Sequence, residues 1–201
     1  MKVFLETPRL ILRQLTDDDV DNLYLLDNDP EVMRFISGGV TSSYETIQDV
    51  FLPNVLSYYE KYDKLGFWAV IEKSTQEFIG WIVLRPESHF CFAKLLNAVE
   101  DNALELGYRW RKISWNKGYA TEASLAIINK TLALENCFKI IAWALPENTA
   151  SIRVMEKLGM RLQAKYTLTA ADVLPDTKLL TSSVVQNILN KKIAKYQLVF
   201  S

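Results

Sequence analysis

The segment Trp115 to Ala123, with the sequence WNKGYATEA, marks a sharp change in the character of the chain. The residues before it, ALELGYRW, are typical of a strand, and the residues after it, SLAIINKTLALE, are typical of a helix. Gly118 and Ala120 are small enough for a bound group to approach the backbone. The first N–H groups of a helix have no partner within it and attract anions. The segment therefore predicts a pyrophosphate site, although a glycine between strand and helix also occurs as simple punctuation.

A second segment sharpens this interpretation. The chain contains neither GxxxxGK[ST] nor GxGxxG, which removes two common nucleotide-binding patterns. Residues Asn148 to Met160, NTASIRVMEKLGM, follow the apolar run CFKIIAWAL. Together the two segments resemble the GNAT acetyltransferase superfamily, whose cofactor loop has the form [QR]xxGx[GA] and whose later helix reads roughly NxxAxxxYxKxGF. They are most similar to the branch of ribosomal-protein alanine N-acetyltransferases.

The N-terminal segments ETPRLILRQLTDDDVDNLYLL and DPEVMRFI are also similar to that branch, so the resemblance extends from about Leu5 to Leu162. It implies an α/β (α+β) fold with a mixed, mostly antiparallel, twisted sheet of about seven strands flanked by helices. Alternating apolar residues predict strands at 9–14, 67–72, 78–84, 103–110, 138–145, 161–169 and 193–200.

Helices are predicted where apolar residues recur at three-to-four spacing. Thr16 is expected to cap a helix through Leu26, and Pro53 to break or kink a helix within 43–62. Further helices are expected from 121 onward and over 149–158, the latter ending at Gly159. Residues 171–192 depart from the family, and 182–191 predict an added C-terminal helix. This insert is expected to cover an edge strand, with a role in the acceptor groove or a partner interface as the alternatives.

The composition indicates one compact domain over residues 1–201. The chain is 49% hydrophobic and 23% charged, and its net charge of −1 suggests neither a nucleic-acid nor a membrane partner. The N-terminus MKVFLETPRL turns polar too early for a secretory signal, so a cytoplasmic protein is expected. Cys91 and Cys137 are expected to be buried free thiols. His89, the single histidine, is expected to be a loop residue, and no metal site is predicted.

The resemblance implies direct acyl transfer from acetyl-CoA to an amine, without a metal or a covalent nucleophile. The pantetheine arm is expected to pair with the backbone at Tyr108 and Trp110, where two strands separate. The pyrophosphate is expected on the backbone of the loop, and the residues assigned to it are Trp115, Asn116, Lys117, Gly118, Tyr119, Ala120 and Thr121. Lys117 and the cluster Arg109, Arg111 and Lys112 are the nearest charges for the phosphates.

Asn148 is expected to bind the pantetheine amide region, or to cap the following helix, or both. Many GNAT enzymes have a tyrosine seven residues after this asparagine, but here the position is Met155, which cannot donate a proton. Ser151 is therefore the candidate for assisting the departure of the thiolate. Glu105 is the candidate general base, with Glu100 and Asp101 as alternatives.

The acceptor follows less directly from the residues. A protein N-terminal amine is implied by the resemblance, and small-molecule amines are the other option. Five aromatic residues are candidates for lining the acceptor pocket or for the core, namely Tyr58, Tyr59, Tyr62, Phe67 and Trp68. A monomer or homodimer is expected. The alternative hypothesis is a non-catalytic CoA-binding or protein-interaction module with the same fold.

Overall fold

The computed structural model describes residues 2–132, 139–173 and 182–200. The strands, numbered along the chain, are β1 Val3–Glu6, β2 Leu10–Arg13, β3 Gly66–Glu72, β4 Phe78–Pro86, β5 Ala103–Trp110, β6 Lys139–Ala144, β7 Arg161–Thr167 and β8 Lys192–Val199. They form one sheet in the order β1-β2-β3-β4-β5-β6-β8-β7. Every strand pairing is antiparallel except that of β5 with β6. The predicted sheet type is confirmed, with the four-residue β1 as an eighth strand that the prediction omitted.

The helices are α1 Val20–Asp27, α2 Pro30–Ser37, α3 Tyr44–Thr46, α4 Leu52–Lys61, α5 Cys91–Leu95, α6 Tyr119–Leu132, α7 Thr149–Lys157, α8 Ala170–Val173 and α9 Ser183–Ile188. A π-helical stretch, Ile47–Phe51, joins α3 to α4, whose second residue is Pro53. The kink predicted at Pro53 is thus a local change of helix type, which accommodates the missing proline N–H.

Two hydrophobic layers cover opposite faces of the sheet. Along β3, Trp68 and Val70 pack in the layer that contains α6 and α7, whereas Phe67, Ala69 and Ile71 pack in the layer that contains α1 and α4. This alternation follows from the two-residue period of a strand. The same period on β5 sends even-numbered side chains toward α6 and α7 and odd-numbered side chains toward the opposite face.

The added C-terminal helix is confirmed as α9, although residues 174–181 of the insert lie outside the described residues. Val185 and Ile188 of α9 are buried in a third cluster that also contains Phe35 of α2. The outermost strand, β7, keeps an exposed surface. In the described part of the chain, α9 therefore packs on α2 rather than along β7, and the expectation that the insert covers an edge strand stays a prediction.

Candidate active site

Strands β5 and β6 separate after a short parallel contact. They pair only from Ala103–Lys139 to Glu105–Ile141, whereas β5 continues to pair with β4 as far as Trp110. The Arg111 N–H donates to the Ile79 carbonyl across the β4 side at 2.9 Å. Since hydrogen-bonding directions alternate along a strand, the backbone groups of Tyr108 and Trp110 point away from β4, into the gap. The separation expected from the sequence is present at the predicted residues.

The polar loop connects the end of β5 to α6. Asn116 and Gly118 have φ values of 62° and 80°, which place both in the left-handed region. The Glu122 N–H bonds to the Gly118 carbonyl at 3.1 Å, which is the first bond of α6. The N–H groups of Gly118 to Thr121 precede that bond and have no acceptor within the helix. The predicted anion site has the backbone it requires, and α6 begins at Tyr119 rather than at the predicted Thr121.

Arg9 supports this loop from the neighbouring strand region. Its Nη1 donates to the Lys117 carbonyl at 2.9 Å, and its Nε donates to Glu122 at 2.6 Å. Thr7 donates to the same carboxylate at 2.6 Å. Sequence reasoning missed Arg9 as a loop residue because the contact joins segments more than a hundred positions apart.

Two aromatic residues of the loop have structural roles as well. The Trp115 indole N–H donates to the Trp110 carbonyl at 3.0 Å, and Trp115 as a whole is 40% exposed. Tyr119 is buried in the core, with its hydroxyl bonded to Glu72. Its backbone, but not its side chain, is therefore available to a phosphate.

The basic residues beside the loop, Arg109, Arg111 and Lys112, already bind other groups of the protein. Arg109 forms an ion pair with the buried Asp27, and Lys112 forms one with Glu31. Arg111 donates to the Phe78 carbonyl at 3.2 Å. Lys117, which is exposed, is the predicted phosphate charge that remains beside the loop.

A cavity of about 400 Å³ extends through the gap between β5 and β6. On the α7 face it is lined by Tyr108, Asn148 and Ser151, and on the opposite face by Glu105 and Arg85. The cavity therefore connects the two faces of the sheet where backbone groups of β5 are free of β6. Two reactants that approach from opposite faces can meet inside it.

On the α7 face, two hydroxyl groups are in contact. Ser151 Oγ lies 2.9 Å from Tyr108 Oη, and burial raises the pKa of Tyr108 to about 12 despite its hydrogen bond with Ser151. Asn148 accepts a hydrogen bond from the Ser151 N–H at 3.2 Å, so its helix-capping role is confirmed. Met155 also lines the cavity. Met155 has no hydroxyl group, but the Tyr108 side chain on β5 brings one to the same side of the cavity. Sequence reasoning considered Tyr108 only for its backbone.

On the opposite face, Glu105 is 5% exposed and accepts a hydrogen bond from Arg85 Nε at 2.7 Å. Burial raises the pKa of Glu105, and the opposing effect of Arg85 does not cancel it. The alternative bases do not line the cavity. Glu100 is held by Lys139 and Lys195, and Asp101 lies in an exposed turn. Glu105 is thus the candidate that the structure places beside Tyr108 and Ser151.

The aromatic residues proposed for the acceptor pocket belong largely to the core. Phe67 and Trp68 are buried in opposite layers, and the Tyr59 hydroxyl donates to the Phe67 carbonyl at 2.6 Å. Tyr58 bonds to His89, which lines the cavity itself. Tyr62 packs against the Tyr58 ring. None of the five residues lines the cavity, so the core alternative holds for Phe67 and Trp68, and Tyr58 reaches the cavity only through its contact with His89.

The remaining sequence expectations concern cysteine, metal and membrane. Cys91 begins α5 at the cavity and is exposed, so its predicted burial is wrong, and Cys137 lies outside the described residues. Across 2–132, 139–173 and 182–200, no three His, Cys, Asp or Glu side chains converge on a possible metal position. No helix in those same ranges has the length and apolar character needed to cross a membrane.

Comparison with known proteins assigns the class. A family model described as "Acetyltransferase (GNAT) domain" matches residues 9–161. The Bacillus subtilis "Uncharacterized protein YkkB" is 33% identical over 160 residues, which cover 79% of this chain and 86% of that protein. The "Uncharacterized N-acetyltransferase YnaD" of the same organism is 30% identical over 160 residues, covering 80% and 84%. The chain belongs to the GNAT acetyltransferase family and is an acyltransferase.

A solved structure supports the fold independently. The ribosomal L7/L12 alpha-N-protein acetyltransferase RimL, determined in complex with coenzyme A, is similar with a TM-score of 0.72. The match covers 99% of this chain and 98% of that chain at 12% identity, so it bears on the fold alone.

Proposed function

We propose that the protein transfers the acetyl group of acetyl-CoA directly onto a primary amine while both substrates are bound. The observation that carries this proposal is the gap between β5 and β6, which joins Ser151 and Tyr108 on one face to Glu105 on the other. The CoA complex of the similar RimL structure supports the cosubstrate. A single domain over 1–201, a cytoplasmic location, a monomer or homodimer and the lack of a metal stay predictions.

The residues present fit the cosubstrate, which supplies an acetyl group activated as a thioester. The N–H groups of the segment 116–121 and the ammonium group of Lys117 would hold the pyrophosphate. The backbone of Tyr108 and the N–H of Trp110 would pair with the pantetheine arm, since the Trp110 carbonyl already accepts from Trp115. Asn148 uses its side-chain oxygen to cap α7, and its amide nitrogen would donate to the pantetheine.

Each face of the cavity is assigned one of the two proton transfers, removal from the amine on the Glu105 face and donation to the sulfur on the α7 face. Glu105, whose pKa is raised by burial, takes a proton from the amine nitrogen. Ser151 Oγ, backed by the protonated Tyr108 hydroxyl at 2.9 Å, supplies a proton at the departing sulfur. A peptide α-amine, with a pKa of about 7.7–8.0, would need less from this base than an alkylamine, whose pKa is near the lysine value of about 10.4.

A calorimetric titration of acetyl-CoA tests the cosubstrate site. The probe is Gly118→Asp, and the matched control is Gly118→Asn, because both side chains tolerate the positive φ and differ in charge. A Cβ at this position meets only Arg9 Nη2, at 3.6 Å, so both variants are expected to fold. We expect the aspartate to weaken binding at least about tenfold relative to the asparagine.

Equal affinities for the two variants, or no binding by the wild type, would show that phosphate does not sit on the loop. Thiol release on mixing acetyl-CoA with a panel of amines then tests the reaction itself. A folded protein that binds acetyl-CoA but releases no thiol with any amine would overturn the proposed transfer.

A further inference from the structure

The face of the cavity that contains Glu105 and Arg85, here called the acceptor face, is walled by aromatic rings. Trp81 of β4 forms one wall, and Phe90, Phe92 and Trp143 form another. The Phe90 ring centroid lies 5.4 Å from that of Phe92 and 6.0 Å from that of Trp143. Burial of an apolar ligand surface against such rings is favourable.

The charges on this face neutralise one another. Glu105 is the one carboxylate among the described residues that line the cavity, and it is paired with Arg85 at 2.7 Å. Arg109, the other arginine that lines the cavity, is paired with Asp27. The face therefore offers no unpaired carboxylate for a second ammonium group of a substrate, and burying an unpaired charge is costly.

Helices α2 and α9 close this face on the side away from the sheet. Phe35 and Ile36 of α2 line the cavity beside Val184 and Ile188 of α9. The two helices touch closely, because a Cβ added at Gly38, the residue after α2, would lie 3.2 Å from Asn187 Oδ1. The added C-terminal helix is thus a wall of the acceptor site.

We propose that the acceptor is a small primary amine with one amino group and an aromatic or branched aliphatic body, and that Val184 limits its size. This inference rests on the proposed function. The cavity of about 400 Å³ must also admit the thioester end of the cosubstrate, which leaves room for a body of roughly one ring. Polyamines present several ammonium groups to this paired set of charges, and a peptide N-terminus brings polar backbone against the rings.

The test compares thiol release with 2-phenylethylamine, propylamine, spermidine and a peptide with a free N-terminal alanine. We expect kcat/KM for 2-phenylethylamine to exceed the values for spermidine and the peptide at least about tenfold. Val184→Trp should lower kcat/KM about tenfold for 2-phenylethylamine but little for propylamine, since it fills space that only the larger amine needs. Val184→Ala should raise the ratio of kcat/KM for 2-phenylethylamine to kcat/KM for propylamine, since it makes room for the larger amine.

Gln186→Trp is the matched control, because Gln186 is exposed on the same helix and does not line the cavity. Gln186→Trp should leave the ratio of kcat/KM for 2-phenylethylamine to kcat/KM for propylamine within about twofold of wild type. Calorimetric binding of acetyl-CoA should be unchanged in all three variants, which checks that they fold.

A preference for spermidine or the peptide would overturn the inference while supporting acetyl transfer. An equal effect of Val184→Trp on both monoamines would overturn the role of α9. Calorimetric binding of 2-phenylethylamine that loses affinity in Val184→Trp, without thiol release from any amine, would support the inference about the site and overturn the proposed transfer. Absence of both binding and turnover with 2-phenylethylamine would overturn the inference.

Discussion

Glu100 lies three residues before β5 and Glu105 lies within it, yet their surroundings differ. Glu100 accepts hydrogen bonds from Lys139, from Lys195 at 2.7 Å and from Gln163 at 2.7 Å. Burial raises the pKa of Glu100, but these three donors outweigh it and lower the pKa to about 2. Glu105 has the single partner Arg85, and burial dominates, so its pKa is raised.

These surroundings make Glu100 a structural anchor, held by protein donors, and Glu105 a candidate base. A carboxylate held by two lysines and an amide stays ionised at any working pH, and its oxygens already accept hydrogen bonds from the protein rather than from a substrate. A buried carboxylate with one partner, beside a cavity, can exchange a proton nearer neutral pH. The sequence offered both residues as bases, and their partners distinguish them.

The largest effect is expected on the anchor side, from Lys195→Met. The Lys195 ammonium is fully buried, bonding to Glu87 at 2.9 Å, to Glu100 and to the Ala98 carbonyl at 2.6 Å. Its removal leaves the fully buried Glu87 without its cation, which costs about 3–5 kcal/mol of unfolding free energy. Urea unfolding measures the loss, with the exposed Lys192→Met on the same strand as control. A loss comparable to that of the control would contradict the anchor interpretation.

Glu105→Gln should have the next largest effect, and it acts on turnover. The amide keeps the shape of the side chain but cannot accept a proton, so kcat is expected to fall about 100-fold. Acetyl-CoA affinity, measured by titration, should be kept. Glu100→Gln is the matched control and should retain kcat within about twofold. Unchanged turnover in Glu105→Gln would exclude this residue as the base.

Tyr108→Phe is expected to lower kcat about tenfold, because Ser151 then loses the partner that lies 2.9 Å away. Ser151→Ala should have a similar effect. If the two hydroxyls act as one relay, the double variant loses little more than either single variant. Single-turnover thiol release measures this coupling, and additive losses would show that the two groups act independently.

Local signals allowed much of the fold to be predicted. The loop and start of α6 follow from WNKGYATEA, and the bounds of β5 and the cap at Asn148 follow from residues adjacent in sequence. The contacts that complete the site join distant segments. Arg9 meets the loop across the sheet, and Tyr108 meets Ser151 only because β5 and β6 separate.

Tertiary register accounts for the incorrect interpretations. Trp68 was a candidate pocket residue, but the alternation of β3 places it in the core, whereas Trp81 reaches the cavity from β4. The role of α9 depends on its contact with α2, which no local pattern encodes. The notable position of Cys91, exposed at the start of α5, likewise depends on where the cavity opens.

The smallest expected effects are the pH dependences of stability, which should have opposite signs for the two glutamates. Glu100 has a lowered pKa, so its contribution is present above its ordinary value of 4.5 and is lost as pH falls toward about 2. Because the Glu100 side chain is 26% exposed, we expect the free energy of unfolding to fall by about 1 kcal/mol over this pH range. Glu100→Gln should abolish this pH dependence.

Glu105 has a raised pKa, so the folded protein holds that proton more tightly than the unfolded chain does. The free energy of unfolding therefore falls as pH rises from 4.5 through the folded pKa. Urea unfolding of wild type, Glu100→Gln and Glu105→Gln at successive pH values measures both slopes. Differences from wild type with the same sign would show that the partners of these carboxylates do not set their ionisation.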